Sequence, residues 1–532
     1  MRIDLIGFIL FFPEAAPNLL VAATDTQGPI GRNLDCCNIL SFSSTEPVQT
    51  MNVFTISRIA ARSWSYSTLS VFAGVSIFML ASAPVAAQSQ PHQAKPAKAS
   101  ASAEEAASRL REAVSLLQLG KTNEAEQILR RVLTATPQNS DAHNLLGIIL
   151  DQRQQFKNAE REYREALRLN PNAVSPRANL GVLLARTERS EEAVRAFESV
   201  LQSSPNHPQA TVNLGLQYAS RGDYSRAVPL LEKSRQLGID SYDVRQNLGL
   251  ALYNLKRYDE ANTALEAAFA LSPNSAEPLY YLGLVAWARS QDETAADFWD
   301  RAIKLRPIYP EANFMLGEAL RRNHRSQAAL EFYQRALDQD PTKFVYYVRL
   351  GGTLLLLGRH DLALETFFRA AARFPELAES HYFVGLSERA RADYAAAEKE
   401  FRKSLVLGPN NVDALAQLGF VVGELDRFQE AEELLRRAIK LNDKHFYANY
   451  DLGRLLVKSR RYEEALAILR HAAILKPKNP NVHYQLFLAL SRLKRKDEAD
   501  RELASFKQLD EVRKAQPSDT EDLQLEEPPG RP

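Results

Sequence analysis

Cysteine is almost absent. The 532 residues include two, Cys36 and Cys37, and they are adjacent. Neighbouring thiols close to the start can neither staple the remaining chain with disulfides nor supply a cysteine zinc site to it, and no thiol nucleophile is left for the body. An excess of either charge is also lacking: 66 basic residues face 65 acidic ones. That balance gives no general attraction to nucleic acid, which favours a basic face. The nine histidines are scattered. A phosphate-binding glycine loop, a dinucleotide fingerprint, a G-x-S-x-G elbow and an H-E-x-x-H pair are all missing. These absences point away from an enzyme and leave neither a cofactor nor a metal to expect.

What is present is regular. Hydrophobic residues at 45% and charged residues at 25% suit a folded protein. A length of 532 residues exceeds what one compact core usually serves. Glycine returns every 34 residues from Gly147 through Gly181, Gly215 and Gly249 to Gly453. Alanine keeps the same period from Ala125 through Ala159 and Ala193 to Ala499, and proline closes most periods, as at Pro171, Pro205 and Pro375. Counted from Ala106, about twelve units run to Arg513 without insertion.

Two clear copies read Leu180-Gly181-x2-Leu184, Ala193-x3-Phe197, Pro205 and Leu350-Gly351-x2-Leu354, Ala363-x3-Phe367-x2-Ala370, Pro375. The pattern resembles the tetratricopeptide-repeat (TPR) family over roughly three quarters of the sequence. That resemblance implies an all-α, right-handed superhelical solenoid of stacked antiparallel helix pairs, and a concave groove that binds peptides. It says little about which partner is bound, because the fold serves many.

The physics supports the same architecture. Apolar positions three and four apart make each unit two amphipathic helices. A mid-helix glycine costs about 1 kcal/mol against alanine, so keeping it at one phase demands a gain. The expected gain is close approach, with glycine in the first helix and alanine in the second packing and nothing larger between them. Proline then stops the second helix. Ile239 and Asp443 replace it in the fourth and tenth units, and Phe487 replaces the glycine in the last. Arg109 and Glu112 give the first unit a polar face suited to a cap.

Residues 1–50 read as an upstream-extended start. From Met51 to Ala87 the sequence reads as a signal peptide, with Arg58 and Arg62, the apolar run Leu69–Leu80, and Val85-Ala86-Ala87 as a cleavage site. An uncleaved membrane tether through residues 69–87 is the alternative. Residues 88–105 read as a flexible linker, 106–513 as the solenoid, and 514–532 as a disordered acidic, proline-rich tail. The expected location is outside the cytoplasm, periplasmic or secreted, or else anchored in the cytoplasmic membrane.

Two sets of residues stand out as binding candidates. Asn179, Asn213 and Asn247 each precede Leu-Gly at one phase. They resemble the asparagine ladder of O-linked N-acetylglucosamine transferases, where amides grip a peptide backbone; no transferase domain follows here. Tyr280, Phe314, Tyr382, Tyr450 and Tyr484 share another phase. They are either stacking anchors in the groove or packing between repeats. His143, His381 and His483 share a phase but stand seven and three repeats apart, too far to converge on one metal. The basic clusters Arg321-Arg322-Asn323-His324-Arg325 and Lys494-Arg495-Lys496 fall near turns and read as solvated. The function expected is an adaptor for protein or peptide partners in envelope assembly, secretion or polysaccharide export. A self-associating or tethered spacer and an accessory subunit of an enzyme are the alternatives, and the oligomeric state stays open.

Overall fold

The computed structural model describes residues 97–515. Among them are twelve helix pairs and no strand. The first six pairs are α1 (Ala97–Gln118) with α2 (Thr122–Ala135), α3 (Ser140–Gln152) with α4 (Phe156–Leu169), α5 (Val174–Arg186) with α6 (Ser190–Ser203), α7 (Pro208–Ser220) with α8 (Tyr224–Gln236), α9 (Tyr242–Asn254) with α10 (Tyr258–Leu271), and α11 (Ala276–Ala288) with α12 (Asp292–Leu305). The others are α13 (Pro310–Arg322) with α14 (Ser326–Gln339), α15 (Phe344–Leu356) with α16 (His360–Arg373), α17 (Ala378–Ala390) with α18 (Tyr394–Leu407), α19 (Val412–Glu424) with α20 (Phe428–Leu441), α21 (Phe446–Lys458) with α22 (Tyr462–Leu475), and α23 (Pro480–Arg492) with α24 (Lys496–Ala515).

The turn inside each pair depends on one left-handed residue. Gln154, Glu188, Lys256, Ala392 and Arg460 have φ of 60–62°, and Gly120, Gly222 and Gly358 hold the same phase. Gln154 N–H then bonds Asp151 O and Gln155 N–H bonds Leu150 O, both at 2.9 Å, which satisfies carbonyls the helix would otherwise leave open. Between pairs, an extended residue ahead of proline ends the even helix, as Asn170 does before Pro171. Where Ile239 replaces proline, Gly238 at φ +84° ends α8 instead. Side chains at the next N-cap start the odd helix: Asn139, His207, Asn411 and His445 each accept from the backbone N–H three residues on.

The periodic alanines are fully buried from Ala125 to Ala465. The glycines work differently from the expected backbone contact. Something large does stand between the helices: at nine of the repeat glycines an aromatic or leucine side chain sixteen residues later lies directly over the glycine. A Cβ on Gly147 would stand 2.6 Å from the Tyr163 ring, and one on Gly181 2.6 Å from the Phe197 ring. Glycine is kept to seat that ring.

The chain divides between Val285 and Ala286 into two compact units. In the N-terminal unit α1, α3, α5, α7 and α9 contact one another in turn, and in the C-terminal unit α15, α17, α19, α21 and α23 do the same. The backbones of the described even helices do not approach one another in the same way. The odd helices therefore form the inner layer of each unit.

Two boundaries differ from the sequence reading. Helix α1 starts at Ala97, inside the expected linker, because Ala and Glu dominate 97–107 and favour helix. Helix α24 runs to Ala515, past Arg513. Residues 1–50, the signal region 51–87 and the tail from 516 lie outside the described residues. No described helix is long and apolar enough to cross a membrane.

Candidate functional site: the inner face of the odd helices

Residues two and three before the repeated glycine, and one, four and five after it, reach from one odd helix to the next. Asn179 donates to Asn144 across α5 and α3 at 3.0 Å, and Arg186 bonds Asp151 across the same pair at 2.8 Å. Arg349 meets Glu318 across α15 and α13 at 3.1 Å, and Arg454 meets Glu424 across α21 and α19 at 2.9 Å. These phases define the inner face.

In the N-terminal unit the inner face is an amide and aliphatic stripe. Asn213 and Asn247 are half-buried, and each donates its amide N–H to the carbonyl four residues back, Gln209 O and Asp243 O, at 2.8 Å. This bond fixes the amide and leaves Oδ1 as an acceptor. Val182, Leu216 and Leu250, one residue after the glycine, are half-buried beside them. Asn179 departs from the row, since it is buried and bonded to Asn144. Tyr280 is buried too and meets Tyr281 edge-on at 5.4 Å.

The C-terminal unit buries most of its stripe. Phe314 packs on Tyr333 and Tyr346 at 5.9 and 5.0 Å, Tyr382 on Phe401 at 5.8 Å, and Tyr450 stacks on Phe446 at 5.9 Å. Tyr382 is 1% exposed, whereas Tyr484 is 40% exposed and rests on Phe506.

Charge lies between these rings. Glu318 is fully buried and accepts from the Tyr333 hydroxyl at 2.5 Å, with Arg349 at 3.1 Å and Arg321 at 3.7 Å. Burial pushes its carboxyl up, but Arg349, Arg321, the Tyr333 hydrogen bond and Arg322 outweigh burial and hold it below the ordinary range. Arg322 pairs with Asp292 at 3.0 Å and lies over the Trp287 ring at 4.0 Å. The Phe420 ring takes two guanidiniums, Arg389 at 3.9 Å and Arg454 at 4.7 Å.

Arg321 and Arg322 thus correct the sequence reading of a solvated cluster. Their phase, four and five residues after Gly317, was the signal; the count of neighbouring basic residues hid it. The same-phase histidines pin each odd helix to its own even partner. Nδ1 of His143, His381 and His483 meets Glu162, Glu400 and Glu502 at 2.6, 2.8 and 2.7 Å. Among the described residues no three His, Cys, Asp or Glu side chains gather as they would around a metal.

A family model described as tetratricopeptide repeat matches residues 247–307, spanning most of α9 through α12. The chain is a tetratricopeptide-repeat protein. Other matches to this TPR protein are the C-terminal domain of cilia and flagella-associated protein 70 over 302–522 and subunit 3 of the anaphase-promoting complex over 186–268. Similar solved structures include Pseudomonas aeruginosa pilF, 25% identical, covering 39% of this chain and 94% of that one, with a TM-score of 0.34. YrrB, described as a TPR protein with an unusual peptide-binding site, is 22% identical over 34% and 92% of the two chains, with a TM-score of 0.31. Yeast Tom70 is 14% identical over 74% and 97%, with a TM-score of 0.34. No curated protein matches the sequence. The TPR protein is a repeat scaffold of the kind that serves protein–protein interaction.

Proposed function

We propose that this TPR protein is a non-catalytic adaptor that holds an extended peptide segment of a partner along the inner face of its N-terminal unit. One observation carries the reading. Asn213 and Asn247 occupy the same phase of successive inner helices, each fixed by its own helix with an acceptor left over. A row of fixed acceptors suits backbone N–H groups, whose spacing does not depend on side chains. Because the amides are already positioned, little is lost in ordering them on binding. The buried rings and ion pairs of the C-terminal unit then act as the rigid part of the scaffold, and Tyr484 remains a candidate anchor at its end. The signal-like segment 51–87 supports export of the adaptor, and envelope assembly, secretion and polysaccharide export are the settings proposed for it by analogy with exported repeat scaffolds.

The test is cross-linked affinity capture from the host with the parent and an Asn213→Ala, Asn247→Ala variant. The expected result is a partner captured by the parent and lost from a variant with an unchanged melting temperature. Equal capture by both overturns the asparagine row as the site. The intact mass of the captured protein reads the export step: an N-terminus near Gln88 supports it, and a retained Met51 points to an anchor.

A further inference from the structure

Helix α9 carries two polar side chains that the fold does not use. Gln246 is 2% exposed, and neither its amide oxygen nor its amide nitrogen has a hydrogen-bond partner among the described residues. One turn earlier, Oδ1 of Asp243 is buried and equally without a partner among them. Positions three apart share a helix face, so both groups look the same way. That face belongs to the stripe already described: Asn247 and Leu250, half-buried, flank Gln246, and Asp243 itself is half-buried. Gln246 is the more deeply buried of the two.

Buried amides are normally satisfied, and leaving both atoms of one unpaired lowers stability with no return from the fold itself. A ligand that brings one donor and one acceptor side by side would satisfy them, and a peptide backbone unit has that arrangement. The surrounding charge narrows the ligand further. Burial alone raises the Asp243 carboxyl, with no described cation acting on it. The nearest arginine in sequence, Arg245, is turned away in a two-pronged bond to Asp240 at 2.6 and 2.7 Å. The neighbouring Tyr242 hydroxyl is pushed up to about 12, by burial first and then by the charges of Glu277 and Asp243, against a hydrogen bond with Ser275. The local field is negative, and no described contact of this face supplies the balancing cation.

We propose that Asp243 and Gln246 form a subsite for a lysine- or arginine-bearing residue of an extended peptide. Asp243 takes the cationic head, and Gln246 takes one backbone N–H and one backbone carbonyl of the same stretch. The subsite rests on the groove reading above and adds to it a basic residue at one register.

The test uses saturation-transfer NMR on the full-length protein with three probes. They are acetyl-Ala-Ala-Lys-Ala-Ala-amide, its lysine-to-glutamate counterpart, and the lysine peptide with methylated backbone nitrogens. The lysine peptide is expected to bind the parent at millimolar concentration, and the other two to bind at least about tenfold more weakly. Asp243→Asn and Gln246→Leu are each expected to lose about tenfold for the lysine peptide. Gln246→Leu should also melt no lower than the parent, since an apolar side chain of similar size removes two unpaired groups. Equal binding of lysine and glutamate peptides, unaffected by either variant but lost in Asn213→Ala, Asn247→Ala, overturns the subsite and leaves the groove reading standing. Failure of every probe to bind overturns both. A Gln246→Leu variant that binds normally and melts lower makes Gln246 a structural amide and sinks its part in the subsite.

Discussion

At the scale of single residues, the repeated glycine is a seat for a ring, and this gives opposite outcomes for one substitution at two places. Gly→Ala in a helix interior gains about 1 kcal/mol in propensity. At Gly181 the new methyl would stand 2.6 Å from the fully buried Phe197 ring, which cannot move without displacing its neighbours. Overpacking of that sort costs about 1–3 kcal/mol. At Gly423, also helical but off the repeat phase, the nearest atoms are Leu455 Cδ1 at 3.5 Å and Ala431 Cβ at 3.6 Å, beside a cavity of about 30 Å³. Urea unfolding should show Gly181→Ala destabilised by about 1–2 kcal/mol and Gly423→Ala stabilised by about 0.5–1 kcal/mol. Equal effects at the two sites would rule out the ring seat. The glycine phase was legible in the sequence. Its reason was not, because the residue sixteen positions on varies among Tyr, Phe, Leu and Trp and only their shared burial reveals the pairing.

At the scale of elements, the helix ends explain both what the repeat shows and what it hides. Proline before most new pairs is visible at once. The left-handed turn inside each pair leaves no trace of its own, since Gln154, Glu188, Lys256 and Ala392 adopt it alongside Gly120, Gly222 and Gly358. A conformation forced by two packed helices needs no glycine to mark it, although a non-glycine residue there costs about 1–2 kcal/mol. The odd-helix caps are similarly mixed. Asn139 and Asn411 cap with an amide, whereas His207 accepts from Ala210 N–H at 3.2 Å through Nδ1. Only the neutral imidazole offers that lone pair. Burial lowers the His207 pKa below its ordinary 6.5. The folded state therefore prefers the neutral form. The contribution is fully present above the unfolded value and is lost as pH falls through the folded one. Asparagine caps the same N–H without titrating. In melting curves from about pH 7.5 to about pH 5, His207→Asn should lose less stability than the parent. Parallel curves would show that this cap does not carry the pH dependence.

At the scale of the whole molecule, charge joins neighbouring repeats in two ways, at three outer joints and at a buried inner one. On the outer, even helices the joints carry four-membered squares. Arg189 bonds Glu160 and Glu192 at 2.8 and 2.7 Å while Arg164 reaches the same two carboxylates. Glu398, Arg402, Arg427 and Glu430 repeat the square, as do Glu432, Arg436, Arg461 and Glu464. On the inner helices the joint at Glu318, Arg321 and Arg349 is buried. The two classes must respond differently to salt. Exposed charges are screened once the Debye length falls to about 3 Å near 1 M salt, and buried ones are screened far less. In a repeat protein each joint adds its own term to stability, so losing one should be felt in its own unit. Arg461→Gln should therefore lower the melting temperature at low ionic strength, with the difference largely gone near 1 M sodium chloride. Glu318→Gln strands two arginines beside a buried site and should cost about 3–5 kcal/mol at either salt concentration. If both losses shrank together with salt, the inner cluster would be open to solvent and could not serve as the rigid part of the scaffold. If neither shrank, the outer squares would be held by packing of their side-chain stems, and the joints between repeats would owe little to charge.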